Sequence, residues 1–202
     1  MRASPQRDLW SFLEYVRGEC AYSNVKLKIE ARRRTRAGDL GFFDETARVL
    51  FVCTDVEGWA MTLAHELGHL QQYRERFLAY RQADLEAFEE KLMGGQKKMD
   101  YGKLRNLTRA IQRCELDAER RALRLARVFH LTDDLEKYTR QANRYVWSYE
   151  VARQVGIPIG KWPKRSEDLR ELIDSQMPTR LITQAEFGKP PPIIKDSLDI
   201  KS

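Results

Sequence analysis

The spacing of apolar residues changes character along the chain, and each change predicts an element. Over residues 6–22, Leu9, Phe12, Leu13 and Val16 recur at i, i+3, i+4 and i+7, the period of one helix face. Residues 25–33 then alternate, with Val25, Leu27 and Ile29 on one side and Lys26, Lys28 and Glu30 on the other, which predicts a half-buried strand. Ala37-Gly38-Asp39 and Asp44-Glu45-Thr46 supply turns around a short extended piece, Leu40 to Phe43. Ala47 to Cys53 predicts a strong strand, and its run Val49-Leu50-Phe51-Val52 is apolar on both faces, as in the middle of a sheet. From about Val56 the pattern is helical almost to the end. One helix runs to the mid-seventies, and a further helical stretch reaches Met93 and stops at Gly94-Gly95. A long, heavily charged helix follows from about Tyr101 to Phe129. Thr132-Asp133-Asp134 offers an N-cap for the next, with Glu136 in its first turn and Gly156 at its end. Ser166 to about Ser175 is a short last helix. Past Pro178 the period is lost, and Lys189-Pro190-Pro191-Pro192 predicts an extended tail.

These elements predict an α+β chain, mainly helical, with a small N-terminal sheet packed on the helix that follows it. One domain is expected over 1–177, with a helical extension from about 130, and a Pro-containing tail over 178–202. With 202 residues, 42% of them hydrophobic and 33% charged, there is material for one core and for long charged faces. No apolar run has the length of a bilayer span, and Met1 to Arg7 lacks the apolar core of a signal peptide, so a cytoplasmic protein with no membrane contact is expected. Cys20, Cys53 and Cys114 are odd in number and far apart, the pattern of reduced structural thiols. The net charge of +6 permits contact with nucleic acid. The densest basic run is Arg32-Arg33-Arg34-Thr35-Arg36. It is expected as a solvated strand end and turn, with a nucleic-acid or acidic-partner patch as the other use for it.

The chemistry concentrates in Thr62-Leu63-Ala64-His65-Glu66-Leu67-Gly68-His69-Leu70. On a helix His65 and His69 lie one turn apart on one face and can aim at one point. Glu66 sits about 100° around the axis, beside that point and not on it. Two neutral imidazoles suit Zn²⁺, and the neighbouring carboxylate can take a proton from an activated water. Two of the chain's three histidines fall in this motif. Trp59, Ala60, Met61, Leu63, Ala64, Leu67 and Leu70 make the helix apolar around most of its circumference, so it is expected to be buried. Gly68, costly in a helix interior, predicts that another element crosses close by.

A catalytic zinc site needs a third protein ligand. Besides the remaining histidine, His130, the candidates lie in Cys114-Glu115-Leu116-Asp117-Ala118-Glu119. Glu115, Ala118, Glu119, Ala122, Leu125, Ala126 and Phe129 share one helix face, whose small apolar residues allow close approach. Asp117, Arg120, Arg121 and Arg124 lie on the other side. Helical geometry therefore selects Glu115 as the ligand. Glu119, one turn later, is placed to accept a hydrogen bond from the outer nitrogen of a ligating histidine.

The run from Thr62 to His69 resembles the signature of the ImmA/IrrE metallopeptidases, and Glu115-Leu116-Asp117-Ala118-Glu119 is similar to the Glu-x-x-Ala pattern of a later helix in that family. Glu119 stands where the family has Asn or Asp, and the 45 residues between His69 and Glu115 exceed the expected separation. The resemblance covers about residues 6–129. It implies a zincin-like metalloprotease fold of the gluzincin type. It also implies a zinc endopeptidase with Glu66 as general base, and a regulatory DNA-binding protein as substrate. Leu40 to Phe43 is the strand edge expected to pair with an extended substrate. Tyr138, Tyr145, Tyr149 and His130 are candidates for a second oxyanion donor. The alternative is a zincin-fold binding or assembly protein, for example of a phage or other mobile element. The charged helices beyond residue 80, the tail and an aromatic anchor around Trp147 favour it.

Overall fold

The two-sided apolar run is the central strand of a three-stranded sheet. In the computed structural model, which describes residues 5–36, 38–92, 100–157 and 167–196, β1 spans Lys26–Glu30, β2 Gly41–Asp44 and β3 Val49–Cys53. The order is β1-β3-β2, with β1 parallel and β2 antiparallel to β3. Leu50, Phe51, Val52 and Cys53 are all buried. β1 is shorter than its alternation predicts and lies at the sheet's edge. Only Val25 and Leu27 of the apolar set are covered, and Ile29 is exposed.

The described chain divides into two compact units, one of Met1–Phe77 with Asp117–Leu135, the other of Leu78–Leu116 with Glu136–Ser202. In the first, α1 (Pro5–Tyr22) buries Phe12 and Val16. α2 (Trp59–Arg74) follows the sheet and starts later than its apolar pattern predicts. Gly58 takes a left-handed φ of 74°, a conformation glycine adopts without strain, and so forces the helix to begin at Trp59. The unit is completed by the C-terminal part of α5 (Tyr101–Phe129), whose Phe129 ring lies 5.6 Å from that of Phe12.

The second unit holds α3 (Leu78–Gln82), α4 (Leu85–Leu92), the N-terminal part of α5, α6 (Leu135–Val155), α7 (Glu167–Ser175) and α8 (Pro192–Asp196). Asp84 separates α3 from α4 by accepting the Ala87 N–H at 2.8 Å, an N-cap contact. The predicted stop at Gly94-Gly95 lies outside the described residues. Gly156, at φ 72°, ends α6 as its C-terminal glycine.

Over residues 179–196, the described part of the predicted tail, the chain is not the extended segment its prolines predict. Ile182, Phe187 and Ile194 are buried with Leu116, Val146, Trp147 and Val151 in one cluster. Gln184–Glu186 forms a 3₁₀ turn, and Pro192 opens α8 at a position where a missing N–H costs nothing. Asn143, fully buried on α6, clamps the segment. Its amide donates to the carbonyls of Pro178 at 2.9 Å and Arg180 at 2.8 Å, and its oxygen accepts the Ile182 N–H at 2.9 Å. Trp147 Nε1 donates to the Glu186 carbonyl at 3.0 Å, so Trp147 is core and not a free anchor, while Tyr145 is exposed.

Asn143→Ala is expected to remove three hydrogen bonds, one buried and two partly buried, and strand their partners, a loss of roughly 2–4 kcal/mol. Chemical denaturation measures the loss, and trypsin should then cut at Arg180 faster than in the native protein. The Glu186 carboxyl, held by Arg180 and by the Thr183 N–H and O–H, is pulled from 4.5 to about 2. Its folded-state pKa is depressed, so its contribution is present above pH 4.5 and is lost as pH falls through about 2. A carboxyl titration followed by NMR should show it.

Candidate metal centre

α2 turns both histidines inward. The Nε2 atoms of His65 and His69 stand 3.1 Å apart, with the ring planes at 83°. Two tetrahedral nitrogen ligands about 2.0–2.1 Å from a zinc ion stand about 3.3 Å apart, so the pair is already near that geometry. Each ring has a polar neighbour behind it at Nδ1. His69 Nδ1 lies 3.0 Å from Gln72 Oε1, and His65 Nδ1 lies 3.1 Å from Glu119 Oε1. The second contact is at ion-pair distance without good hydrogen-bond alignment. Both leave Nε2 facing the site.

Gly68 shows why α5 can come so near. A Cβ at that position would stand 3.0 Å from Ala118 Cα and 3.2 Å from its carbonyl oxygen. With two small residues at the crossing, α5 sets Glu119 against His65. Glu115 sits one turn earlier on the same helix, and both carboxylates are buried. One ligand atom from each of His65, His69 and Glu115 falls within 4.8 Å of the others, a group able to hold a metal ion. Two neutral nitrogens and one carboxylate form a donor set that fits zinc.

Asp117 has another task. It accepts from Arg121 Nε at 2.7 Å and from Gln72 Nε2 at 3.1 Å. Arg121 also grips Glu75 with two bonds, at 2.9 and 2.7 Å, which holds the Glu75 carboxyl below its usual range. A chain of polar contacts thus runs from His69 through Gln72 and Asp117 to Arg121. Sequence pattern alone missed Gln72. The available signal was a polar residue three positions after His69 on a helix apolar almost all round, and Gln72 is fully buried.

Glu66 stands half-buried beside the group, and its Oε2 accepts the Phe43 N–H of β2 at 3.1 Å. β2 is the sheet's edge on that side. It lies close on α2 because Gly41 has no side chain; a Cβ there would meet Thr62 Cγ2 at 2.9 Å.

The four proposed oxyanion donors separate. Tyr149 is buried near Glu115 and shares a 2.7 Å hydrogen bond with the Tyr145 hydroxyl. Burial first, then the Glu115 charge, pushes its phenol up. Tyr138 lies about 16 Å earlier along α6, at 1.5 Å per residue. His130 ends α5 at φ 49°, roughly 22 Å beyond Glu115 by the same rise, so helix geometry sets it apart from the ligand group. In the basic run, Arg32 pairs with Glu30 at 3.0 Å and Arg34 donates to the Gly38 carbonyl at 2.6 Å, while Arg33 and Arg36 are exposed. The three cysteines are free and buried, and burial pushes the Cys20 thiol up to about 11.

Comparison with family models, curated proteins and solved structures finds no match. Among the described residues no helix is long and apolar enough to cross a membrane.

The wild-type chain is expected to bind about one zinc ion. By elemental analysis after dialysis, His69→Ala and Glu115→Ala should lose the metal and His130→Ala should keep it. Asp117→Ala, acting only through Gln72, should weaken binding about 10-fold or more without abolishing it.

Proposed function

We propose that the chain is a zinc-dependent endopeptidase held by His65, His69 and Glu115, with Glu66 as general base. The observation that carries this is the position of Glu66. It stands beside a three-residue ligand group, and its carboxylate touches the edge strand β2. A structural metal site has no need of a carboxylate there.

Zinc bound in this group would acidify a water and polarise a peptide carbonyl. The chain's own residues do the rest. Glu119 and Gln72 hold the two imidazoles from behind, so each presents Nε2. Glu66 takes the proton of the attacking water and returns it to the leaving amine. The Phe43 N–H that Glu66 accepts points away from β3, so the free edge of β2 faces Glu66. An extended peptide added at that edge would lie across the catalytic carboxylate, which favours peptides as the substrate class. The resemblance to the ImmA/IrrE peptidases supports a regulatory DNA-binding protein as the target. The binding or assembly alternative drew on an ordered tail and on Trp147, and the packing of both into the core of their own unit weakens it.

Glu66→Gln keeps size and hydrogen-bonding capacity but removes the base. Zinc content and thermal stability should match the wild type, while cleavage of a peptide library read by mass spectrometry falls by about 10² or more. Equal cleavage by the two proteins would overturn the mechanism. A biological role unchanged in this variant would belong to binding.

A further inference from the structure

β1 leaves one edge of the sheet open, and its hydrogen bonds show which groups that edge offers. The Lys26 N–H donates to the Arg48 carbonyl at 2.8 Å, and the Glu30 carbonyl accepts the Thr54 N–H at 3.0 Å. Lys26, Lys28 and Glu30 stand opposite Val49, Phe51 and Cys53 of the parallel β3 and turn their backbone toward it. Leu27 and Ile29, between them, turn theirs to the other side. Among the described residues no backbone bond from another element reaches the N–H or C=O of Leu27 or Ile29. Four of the five residues of β1 are exposed and Leu27 is half-buried, so the edge meets solvent.

The charge on this edge has one sign left over. Lys26 and Lys28 stand on one face of the strand, Leu27 and Ile29 on the other. Glu30 is met by Arg32 at 3.0 Å, and the Arg32 guanidinium lies over the Phe51 ring at 4.8 Å. Among the described residues neither lysine amino group has an ion pair or hydrogen bond. The same holds for the exposed Arg33 and Arg36 just past the strand. Lysines on an edge repel a like edge. A second copy of β1 engages both Leu27 and Ile29 in one antiparallel register, which sets Lys28 against its own counterpart. Glu30, the acid that would then face Lys26, is already held by Arg32. A strand carrying acids at those positions meets both lysines with opposite charge.

We propose that the open edge of β1 takes up an extended segment of an acidic protein as an antiparallel strand. Apolar residues of the segment lie opposite Leu27 and Ile29, and Asp or Glu opposite Lys26 and Lys28. Backbone hydrogen bonds give such a site its affinity, and the alternating side chains give it selection. β1 and β2 are opposite edges of the sheet, so this site is separate from the edge at Glu66 and does not rest on the metal reading.

The test is fluorescence anisotropy of the full chain with a labelled peptide of about seven residues in which Val and Glu alternate. The wild type should bind it, less tightly as salt is raised. N-methyl groups on the valines block the bonds to Leu27 and Ile29 and should abolish binding. N-methyl groups on the glutamates point away from β1 and should leave it intact. The double variant Lys26→Glu, Lys28→Glu, checked for folding by circular dichroism, should bind the Val/Glu peptide at least about 10-fold more weakly and take up a Val/Lys peptide instead. The methylated peptides decide the matter on unaltered protein if that variant does not fold. Absence of wild-type binding at about 1 mM peptide would overturn the proposal. So would equal binding of the valine-methylated peptide, or a folded double variant that holds the Val/Glu peptide as the wild type does. Loss of binding in His69→Ala would place the peptide at the metal centre instead. Displacement of the peptide by an unlabelled DNA duplex would assign the cations to nucleic acid.

Discussion

The site depends on the contact between Gly68 of α2 and Ala118 of α5. The histidines are set by their own helix, but their partners come from a distant part of the chain. A side chain at position 68 would meet α5 backbone, not a flexible tip that could move aside. Close approach is what lets short carboxylates on α5 reach imidazoles on α2. Ala118 lies between Glu115 and Glu119, so one crossing point places both acids. The glycine costs the isolated helix about 1 kcal/mol, and the buried contact across both helices offsets it.

Two buried carboxylates on one helix face need positive charge nearby. Arg121, two residues past Glu119, is committed to Asp117 and Glu75. Its role is to anchor the outer chain that ends on His69. His65, His69 and Glu115 bring nitrogen and oxygen ligand atoms together in a group that could hold a metal ion. The same electrostatics explain why the polar chain is long. Each buried polar member needs a partner, and the chain ends only where Glu75 reaches solvent.

Most of this was legible where one periodicity decides one element. The apolar run of β3 announced a central strand, Gly68 announced a close crossing, and the facing of Glu115 and Glu119 followed from counting around a helix. What escaped has physical reasons. Gln72 looks like any surface glutamine until the crossing helix covers it. The start of α2 depends on one left-handed glycine, which hydrophobic period does not register. The segment beyond Pro178 has neither helix nor strand period, and its apolar residues find their cluster only through the Asn143 clamp.

α5 carries opposite charge on different faces of one rod. Glu115 and Glu119 lie about 130° and 90° around the axis from the middle of the positions of Arg105, Arg109, Arg113, Arg120, Arg124 and Arg127. The buried acids and the exposed arginines thus lie on different sides of α5, and only the helical period keeps them apart, since they alternate closely along the sequence.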